Sequence, residues 1–117
     1  MTQDPFHLIA DQGLGRMPAP DREQYVVLFE HGTLEIGMYA PRRVDQQTPH
    51  SRDEVYLVFR GSGWFRNGPH RTAFAPGDVL FVPARQEHRF EEFTDDFSVW
   101  VFFYGPEGGE EVTGSEE

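Results

Sequence analysis

The stretch TPHSRDEVYLVFRGSG, residues 48–63, is the part of the chain that decides the fold. Its centre, Glu54–Arg60, is rich in β-branched and aromatic residues, which favour a central β-strand. The preceding segment, residues 41–53, is polar and predicts a loop, and Gly61-Ser62-Gly63 predicts a turn directly after the strand. A loop, a strand and a turn in this order indicate a β fold.

The segments before this stretch predict a β-hairpin. Tyr25–Glu30 and Thr33–Ala40 are apolar-rich runs, and His31-Gly32 between them is a hairpin signal. In the second run, Leu34, Ile36 and Met38 alternate with Thr33, Glu35 and Gly37. This period of two is typical of a strand with one buried face.

The segments after it predict further short strands. Asn67-Gly68 is a strong hairpin signal, and Pro76-Gly77-Asp78 predicts a tight turn. Strands are expected at residues 64–66, 70–74, 79–82, 88–91 and 97–104. Short strands separated by turn signals every 8–12 residues or so are typical of a β-sandwich or barrel, so we predict one all-β domain.

The two ends of the chain differ from this pattern. Residues 1–22 contain three prolines and predict a loop-rich N-terminal arm, with a short strand or turn near Phe6–Ile9. Residues 23–104 form the predicted barrel. Residues 105–117, GPEGGEEVTGSEE, have little apolar material and predict an acidic, flexible tail.

Composition narrows the class of protein. The chain has 117 residues, enough for one domain, and its 11 phenylalanines can supply a core. A net charge of −10 without any lysine disfavours nucleic acid and anionic membranes as partners. The absence of cysteine excludes disulfides and thiolate metal sites. With neither a signal-like start nor an apolar run of about 20 residues, we expect a cytoplasmic protein.

Two histidines and a glutamate are the candidate metal ligands. His50 lies four residues before Glu54, and His88 lies far along the chain at another loop-to-strand junction. Four residues of extended strand span about 13 Å. Two ligands of one metal lie about 3 Å apart. His50 and Glu54 can therefore share a metal only if the chain curls between them, and the segment after Pro49 is where we expect that curl.

Two motifs in this order resemble those of the small single-domain cupins. TPHSRDEVYLVFRGSG looks like the first cupin motif, and PGDVLFVPARQEHRF, residues 76–90, looks like the second. Positions that match the first motif are Gly37, His50, Glu54 and Gly61; positions that match the second are Pro76, Gly77, Pro83 and His88. The resemblance covers roughly residues 24–104 and implies a double-stranded β-helix, or jelly-roll barrel, with a metal in its pocket.

The resemblance implies that His50, Glu54 and His88 are metal ligands, but the chain departs from the family at one position. Thr48 stands where the family has its first histidine, and a hydroxyl is a weak ligand. In one interpretation the remaining triad binds a single divalent transition metal (Fe, Zn, Mn or Ni), with water in the open positions. Gln46 or Gln47 could then add an amide oxygen. In the other, the metal has been lost and the three residues form a hydrogen-bonded polar cluster.

The pocket wall is predicted from strand periodicity. If Glu54 faces inward, Tyr56 and Val58 share its face, and Phe90 shares a face with His88. On the remaining strands the inward face is ambiguous, and the residues chosen for the wall are Ile36, Met38, Trp100 and Phe102. A largely aromatic pocket with a few polar groups suits a small organic ligand.

Three classes of function fit these features. The first is a metal-dependent enzyme, a dioxygenase or an isomerase of a small metabolite. The second is a non-catalytic module that binds or senses a small molecule without a metal, and the third is a structural or storage barrel. Small barrels often cover an exposed edge or apolar patch with a second copy. Cupins also commonly dimerise, so we expect a homodimer in which the N-terminal arm takes part.

Overall fold

Two antiparallel β-sheets make up the fold in the computed structural model, which describes residues 6–17 and 24–111. The larger sheet has the strand order β1-β2-β8-β3-β6, and the smaller has the order β5-β4-β7. The strands are β1 (Tyr25–His31), β2 (Leu34–Tyr39), β3 (Asp53–Arg60), β4 (Gly63–Asn67), β5 (His70–Phe74), β6 (Val79–Val82), β7 (His88–Glu91) and β8 (Ser98–Tyr104). The all-β prediction is confirmed, and Glu54–Arg60 lies in β3, inside the larger sheet as predicted.

Both predicted hairpins form. β1 and β2 pair directly across Gly32 and Thr33, and Gly32 has a positive φ of 59°. β4 and β5 pair as far as Asn67 opposite His70, with Gly68 at a φ of 60°. Glycine adopts a positive φ without strain, and these two hairpin turns require one. This explains physically why glycine at these positions predicts a hairpin.

The core lies between the two sheets and is mostly aromatic. Phe90 on β7 is 1% exposed, and its ring lies 4.6 Å from the ring of Phe65 and 4.9 Å from that of Tyr56, measured between centroids. Phe74 and Phe97 pack on the same ring at 5.5 and 4.7 Å. Such edge-on and tilted pairs are favourable beyond the area they bury, and they join the small sheet to the large one.

Glycine is required at two positions of the first motif. Gly61 ends β3 with a φ of 87°, and a Cβ there would lie 2.6 Å from the Cα of Phe97. Gly37 in β2 lies under the ring of Tyr25, where a Cβ would come within 2.5 Å of that ring. Both positions let another part of the chain approach the backbone closely, which explains glycine there in physical terms.

The N-terminal arm contributes a helix and not a strand within its described part. After a turn at Phe6, the chain forms α1 (Ala10–Leu14), which packs on β1 and β2. A Cβ on Gly13 would lie 2.7 Å from the Cβ of Met38, so α1 lies directly on the outer face of β2. The rest of the arm, residues 1–5 and 18–22, lies outside the described residues. In the described ranges, no helix is long and apolar enough to cross a membrane.

The start of the predicted flexible tail is held in place. The backbone amide of Gly105 donates to the hydroxyl of Thr33, and that of Gly108 donates to the carbonyl of Ser51. The amide of Glu110 donates to the buried carboxylate of Asp53, at 2.9 Å. Residues 105–110 therefore pack on the β1–β2 turn, on the loop before β3 and on the first residue of β3, contrary to the expectation of a free tail from Gly105. Residues 112–117 lie outside the described part.

Candidate functional site

Three ionisable side chains from separate elements converge at one end of the barrel. His50 lies in the loop before β3, Glu54 lies on β3, and His88 begins β7. Glu54 Oε1 lies 3.3 Å from His88 Nε2 and 4.0 Å from His50 Nε2. One ligand atom from each residue lies within 4.8 Å of the others, a spacing that could hold a metal ion. The three residues thus come together as the sequence predicted.

A bend before β3 makes this convergence possible. The chain bends at Ser51 and Arg52, so His50 does not continue the extended line of the strand. The carbonyl of His50 accepts a hydrogen bond from the amide of Arg85, which ties this loop to the segment between β6 and β7. The curl lies after Pro49, where the sequence predicted it.

Glu54 is a buried carboxylate with one oxygen that lacks a hydrogen-bond donor. The residue is 1% exposed, and its Oε1 accepts no hydrogen bond from any described residue. A buried carboxylate normally has partners that replace the lost water, and an unsatisfied one costs free energy. A proton or a cation next to Glu54 Oε1 would offset this cost.

His88 is held in one tautomer by the backbone. Its Nδ1 lies 2.8 Å from the carbonyl oxygen of Gln86, which can only accept, so Nδ1 carries the hydrogen. In neutral His88 the lone pair on Nε2 then points into the cluster. Orientation of one imidazole nitrogen by a carbonyl is the usual support of a metal-ligating histidine.

The two histidines have pKa values shifted in opposite directions. Burial lowers the pKa of His88, but the contact with Glu54 and the Gln86 carbonyl outweigh it, so the net pKa lies above 6.5. For His50, burial dominates over the attraction of Glu54, and its pKa is lowered. Without a metal, His88 is therefore the first of the two to take up a proton beside Glu54.

Gln47 places its amide oxygen in the same cluster. Gln47 Oε1 lies 3.2 Å from His50 Nε2 and 3.2 Å from His88 Nε2. The hydroxyl of Tyr56 donates to this oxygen at 3.0 Å. Burial and the nearby Glu54 carboxylate raise the pKa of Tyr56 well above its usual range, which keeps the hydroxyl protonated.

A cavity of about 700 Å³ opens next to the cluster, within the size range of small-molecule sites. Thr48 and Gln46 line it beside Gln47, and both are exposed. The other residues that line it are Tyr25, Glu35, Tyr39, His50, Ser51, Arg52, Glu54, Tyr56, Val101 and Phe103. Its wall is more charged than the aromatic pocket predicted from the sequence.

Of the seven residues predicted for the pocket wall, Tyr56 lines the cavity and the other six do not. Val58 and Phe90 are buried in the core and are absent from the cavity lining. On β2 and β8 the face was assigned the wrong way round, so four residues lie on the outside of the large sheet: Ile36, Met38, Trp100 and Phe102. The lining residues are their neighbours in sequence: Glu35, Tyr39, Val101 and Phe103.

The cause of this error differs between the two strands: on β2 the apolar face with Ile36 and Met38 is the outer one and Glu35 faces the cavity, whereas both faces of β8 are apolar. α1 covers Met38 from outside, while the core covers Val99 and Val101 from inside. β8 therefore has no polar alternation, and on β2 the alternation was interpreted with the apolar face inward, so a period of two did not identify the inner face of either strand.

Sequence reasoning also missed a polar network at the cavity mouth. The carboxylate of Glu35 accepts from the hydroxyl of Tyr25 at 2.7 Å and pairs with the Arg52 guanidinium at 3.1 Å. The guanidinium also lies over the ring of Phe103, at 5.3 Å from its centroid. The sequence held one indication of the inward face of β2, the alternation of the charged Glu35 with the apolar Ile36 and Met38. A charged residue in such a strand can point into a polar cavity.

Comparisons with known proteins agree on one family. The family profile described as Cupin domain matches residues 35–104. Uncharacterized protein SCO3923 of Streptomyces coelicolor is 35% identical over 85 residues, which are 71% of this chain and 81% of that protein. A Cupin 2 conserved barrel domain protein from Salinispora arenicola aligns with a TM-score of 0.59 at 18% identity, over 69% of this chain and 74% of that one. TT1209 from Thermus thermophilus aligns with a TM-score of 0.61 at 22% identity, over 80% of this chain and 95% of that one.

Proposed function

This chain belongs to the cupin family, and from that premise we propose that it binds one divalent transition-metal ion at His50, Glu54 and His88 and a small molecule in the adjoining cavity. A bound ion would act there as a Lewis acid or as an activator of oxygen. If the protein is an enzyme, a metal-dependent dioxygenase or isomerase of a small polar metabolite fits this arrangement. Fe(II), Mn(II), Zn(II) and Ni(II) are all compatible with ligands of this kind.

The observation that carries the proposal is the excess of acceptors over donors in the cluster. Glu54 Oε1 and Gln47 Oε1 can only accept, and His88 Nε2 in the neutral tautomer also presents a lone pair. Against these acceptors stand the hydroxyl of Tyr56, which donates to Gln47 Oε1, and His50 Nε2, which can donate to the same oxygen in one tautomer. Neither gives Glu54 Oε1 a hydrogen bond. Several lone pairs that face one another in a buried site repel, and a cation among them removes that repulsion.

Replacing Glu54 by leucine tests the metal function directly. Protein purified without chelators or a metal-affinity tag is expected to hold about one divalent ion per chain by elemental analysis. Glu54→Leu is expected to hold none, because it removes the charged ligand. It is not expected to unfold the protein, since it also removes a buried carboxylate oxygen without a donor.

Glu35→Leu is the matched control for this experiment. Glu35 lines the same cavity but pairs with Arg52 and Tyr25, so this variant is expected to keep its ion. Wild-type protein without stoichiometric metal, after incubation with each of the four ions, would count against the metal function.

One observation favours a metal-free binding or sensing module as the second candidate. The raised pKa of His88 allows an imidazolium to pair with Glu54 at 3.3 Å, which supplies the missing positive charge with a proton. The elemental analysis described above separates the two candidates, because the metal-free module is expected to hold no stoichiometric ion. A cytoplasmic location and the absence of a nucleic-acid partner remain predictions from composition.

We also propose a homodimer formed through the outer face of the large sheet. Phe81 and Val79 on the edge strand β6 are 48% and 66% exposed, and they pair with Val55 and Leu57 on β3. On the other side of β3, Val55 pairs with Phe102 and Leu57 pairs with Trp100, both on β8. Together these residues give one apolar face that extends towards α1. Apolar faces of this kind are commonly covered by a second copy, and α1 of the N-terminal arm lies at its far edge.

Phe81→Glu is expected to convert the dimer into a monomer, measured as the mass in light scattering after gel filtration. A charge at this position would have to be buried without a partner in the dimer. Trp64→Glu is the control, since Trp64 is 38% exposed on the smaller sheet, next to Arg71. A wild-type protein of monomeric mass would remove the dimer proposal.

A further inference from the structure

Gln47, and not Thr48, places a side-chain oxygen at hydrogen-bond distance from the two histidines. Thr48 is exposed and takes part in no hydrogen bond among the described residues. The side chain of Gln47, one residue earlier, points its oxygen at both histidines at 3.2 Å. Four potential ligand atoms, two nitrogens and two oxygens, therefore converge, and the amide oxygen that the sequence left open between Gln46 and Gln47 is that of Gln47.

Asp45 fixes which end of the Gln47 amide faces the histidines. Asp45 Oδ2 accepts from Gln47 Nε2 at 2.7 Å, so the nitrogen end points away from the cluster and the oxygen end towards it. Turning the amide over would place its oxygen against a carboxylate oxygen, and two acceptors in contact repel. The orientation of Gln47 is thus set by the carboxylate of Asp45.

Asp45 is itself held rigidly by neighbouring elements. The residue is 1% exposed, and its Oδ1 accepts from the Tyr39 hydroxyl at 2.6 Å and from the Gln47 amide nitrogen of the backbone at 3.1 Å. Its Oδ2 also accepts from the backbone amide of Phe90, two residues after His88. Together with Gln47 Nε2, these donors satisfy the buried carboxylate. One group therefore links β2, β7 and the ligand-bearing loop.

The geometry points to Gln47 as the fourth ligand of the proposed metal ion, through Oε1, with Asp45 as the positioning residue that aims it. The inference rests on the proposed metal function and extends it to two residues outside the triad. With an amide oxygen in place of the imidazole of the family's first histidine, the ligand set contains two nitrogens and two oxygens. Oxygen is a harder ligand atom, in the hard–soft sense, than imidazole nitrogen. Carbonyl and carboxylate oxygens suit Mn(II) relatively better, whereas imidazole suits Zn(II) and Ni(II).

Cobalt binding to the whole chain tests this without any enzyme assay. Co(II) affinity would be measured by titration, and the visible absorption of bound Co(II) would report the number and type of its ligands. Gln47→Leu is expected to weaken the affinity by roughly 10- to 100-fold and to change the spectrum. Gln46→Leu, at the exposed neighbouring position, is the control and is expected to change neither.

Asp45→Asn tests the positioning role. An asparagine has one acceptor oxygen in place of two, so it cannot accept from all four of the donors that meet the Asp45 carboxylate. The Gln47 amide is therefore expected to lose its fixed orientation, which withdraws its oxygen from the cluster. The Co(II) affinity should fall roughly tenfold, in the range for residues that orient metal ligands. In the Gln47→Leu background the same substitution should have no further effect, because there is no amide left to orient.

The outcomes separate this inference from the function beneath it. A wild-type protein that does not bind Co(II) would overturn the metal function and the inference together. Equal affinity and an identical spectrum for wild type and Gln47→Leu would overturn the inference alone. An equal loss from Asp45→Asn in both backgrounds would refute the positioning role. Gln47 is only half-buried, so Gln47→Leu carries the test even if Asp45→Asn fails to fold.

Discussion

Saturating the site with a divalent metal is expected to stabilise the folded protein by about 4 kcal/mol at a free metal concentration about 1,000 times the Kd. The unfolded chain cannot hold His50, Glu54 and His88 together, because they come from a loop and two strands. Metal binding therefore favours the folded state. The measurement is the thermal midpoint with and without metal, in a chelator-treated preparation.

His88→Ala is expected to abolish this metal-induced shift, because it removes one of the three proposed ligands, a buried residue in contact with Glu54. His70→Ala is the matched control, since His70 is exposed on β5 and lies outside the candidate group. Comparing the shift within each variant separates metal binding from any loss of stability that the substitution itself causes. An equal shift in wild type and His88→Ala would place the metal elsewhere.

The size of the shift should depend on pH in a stated direction. The pKa of His88 is raised above 6.5, so in metal-free protein its protonation contributes stability that is present below pH 6.5 and is lost as the pH rises through the raised pKa. The metal competes with that same proton. The metal-induced shift is therefore expected to grow as the pH rises from about 6 to about 8, and a shift that shrinks over this range would contradict the assignment of His88 as a ligand.

Phe90→Ala is expected to lower the free energy of unfolding by about 3–5 kcal/mol, the usual cost of removing a buried phenylalanine. Phe90 is 1% exposed, and its ring packs against four aromatic rings, those of Tyr56, Phe65, Phe74 and Phe97. The substitution leaves a cavity between the sheets. Urea denaturation of the metal-free protein would measure the loss.

Phe59→Ala provides the control for this core substitution. Phe59 is 37% exposed and stacks against Arg60, so its truncation is expected to cost less than about 1 kcal/mol. Phe90 also donates its backbone amide to Asp45, and the substitution leaves that bond in place. The metal stoichiometry of folded Phe90→Ala should equal that of wild type. Similar losses from both variants would show that Phe90 does not join the two sheets as described.

The part of the candidate site that could be predicted consists of residues whose type and position in the two motifs already indicate metal binding. His50, Glu54 and His88 stand at loop-to-strand junctions within two motifs, and the structure brings them together. Glu35 and Asp45 carried no comparable signal. Their roles depend on which residues of distant strands and loops lie beside them, and a single sequence does not contain that information.

The strands, the hairpin turns and the three residues of the candidate site could be predicted from the chain alone, because they depend on local backbone preference and on residue type. Which face of β2 and β8 points inward depends on the packing of distant elements, since α1 covers the apolar outer face of β2 and both faces of β8 are apolar. The tertiary structure also decided that Gln47, and not Thr48, completes the cluster. The reason is physical: the direction of that amide is set by Asp45, which β2 and β7 hold in place from opposite sides.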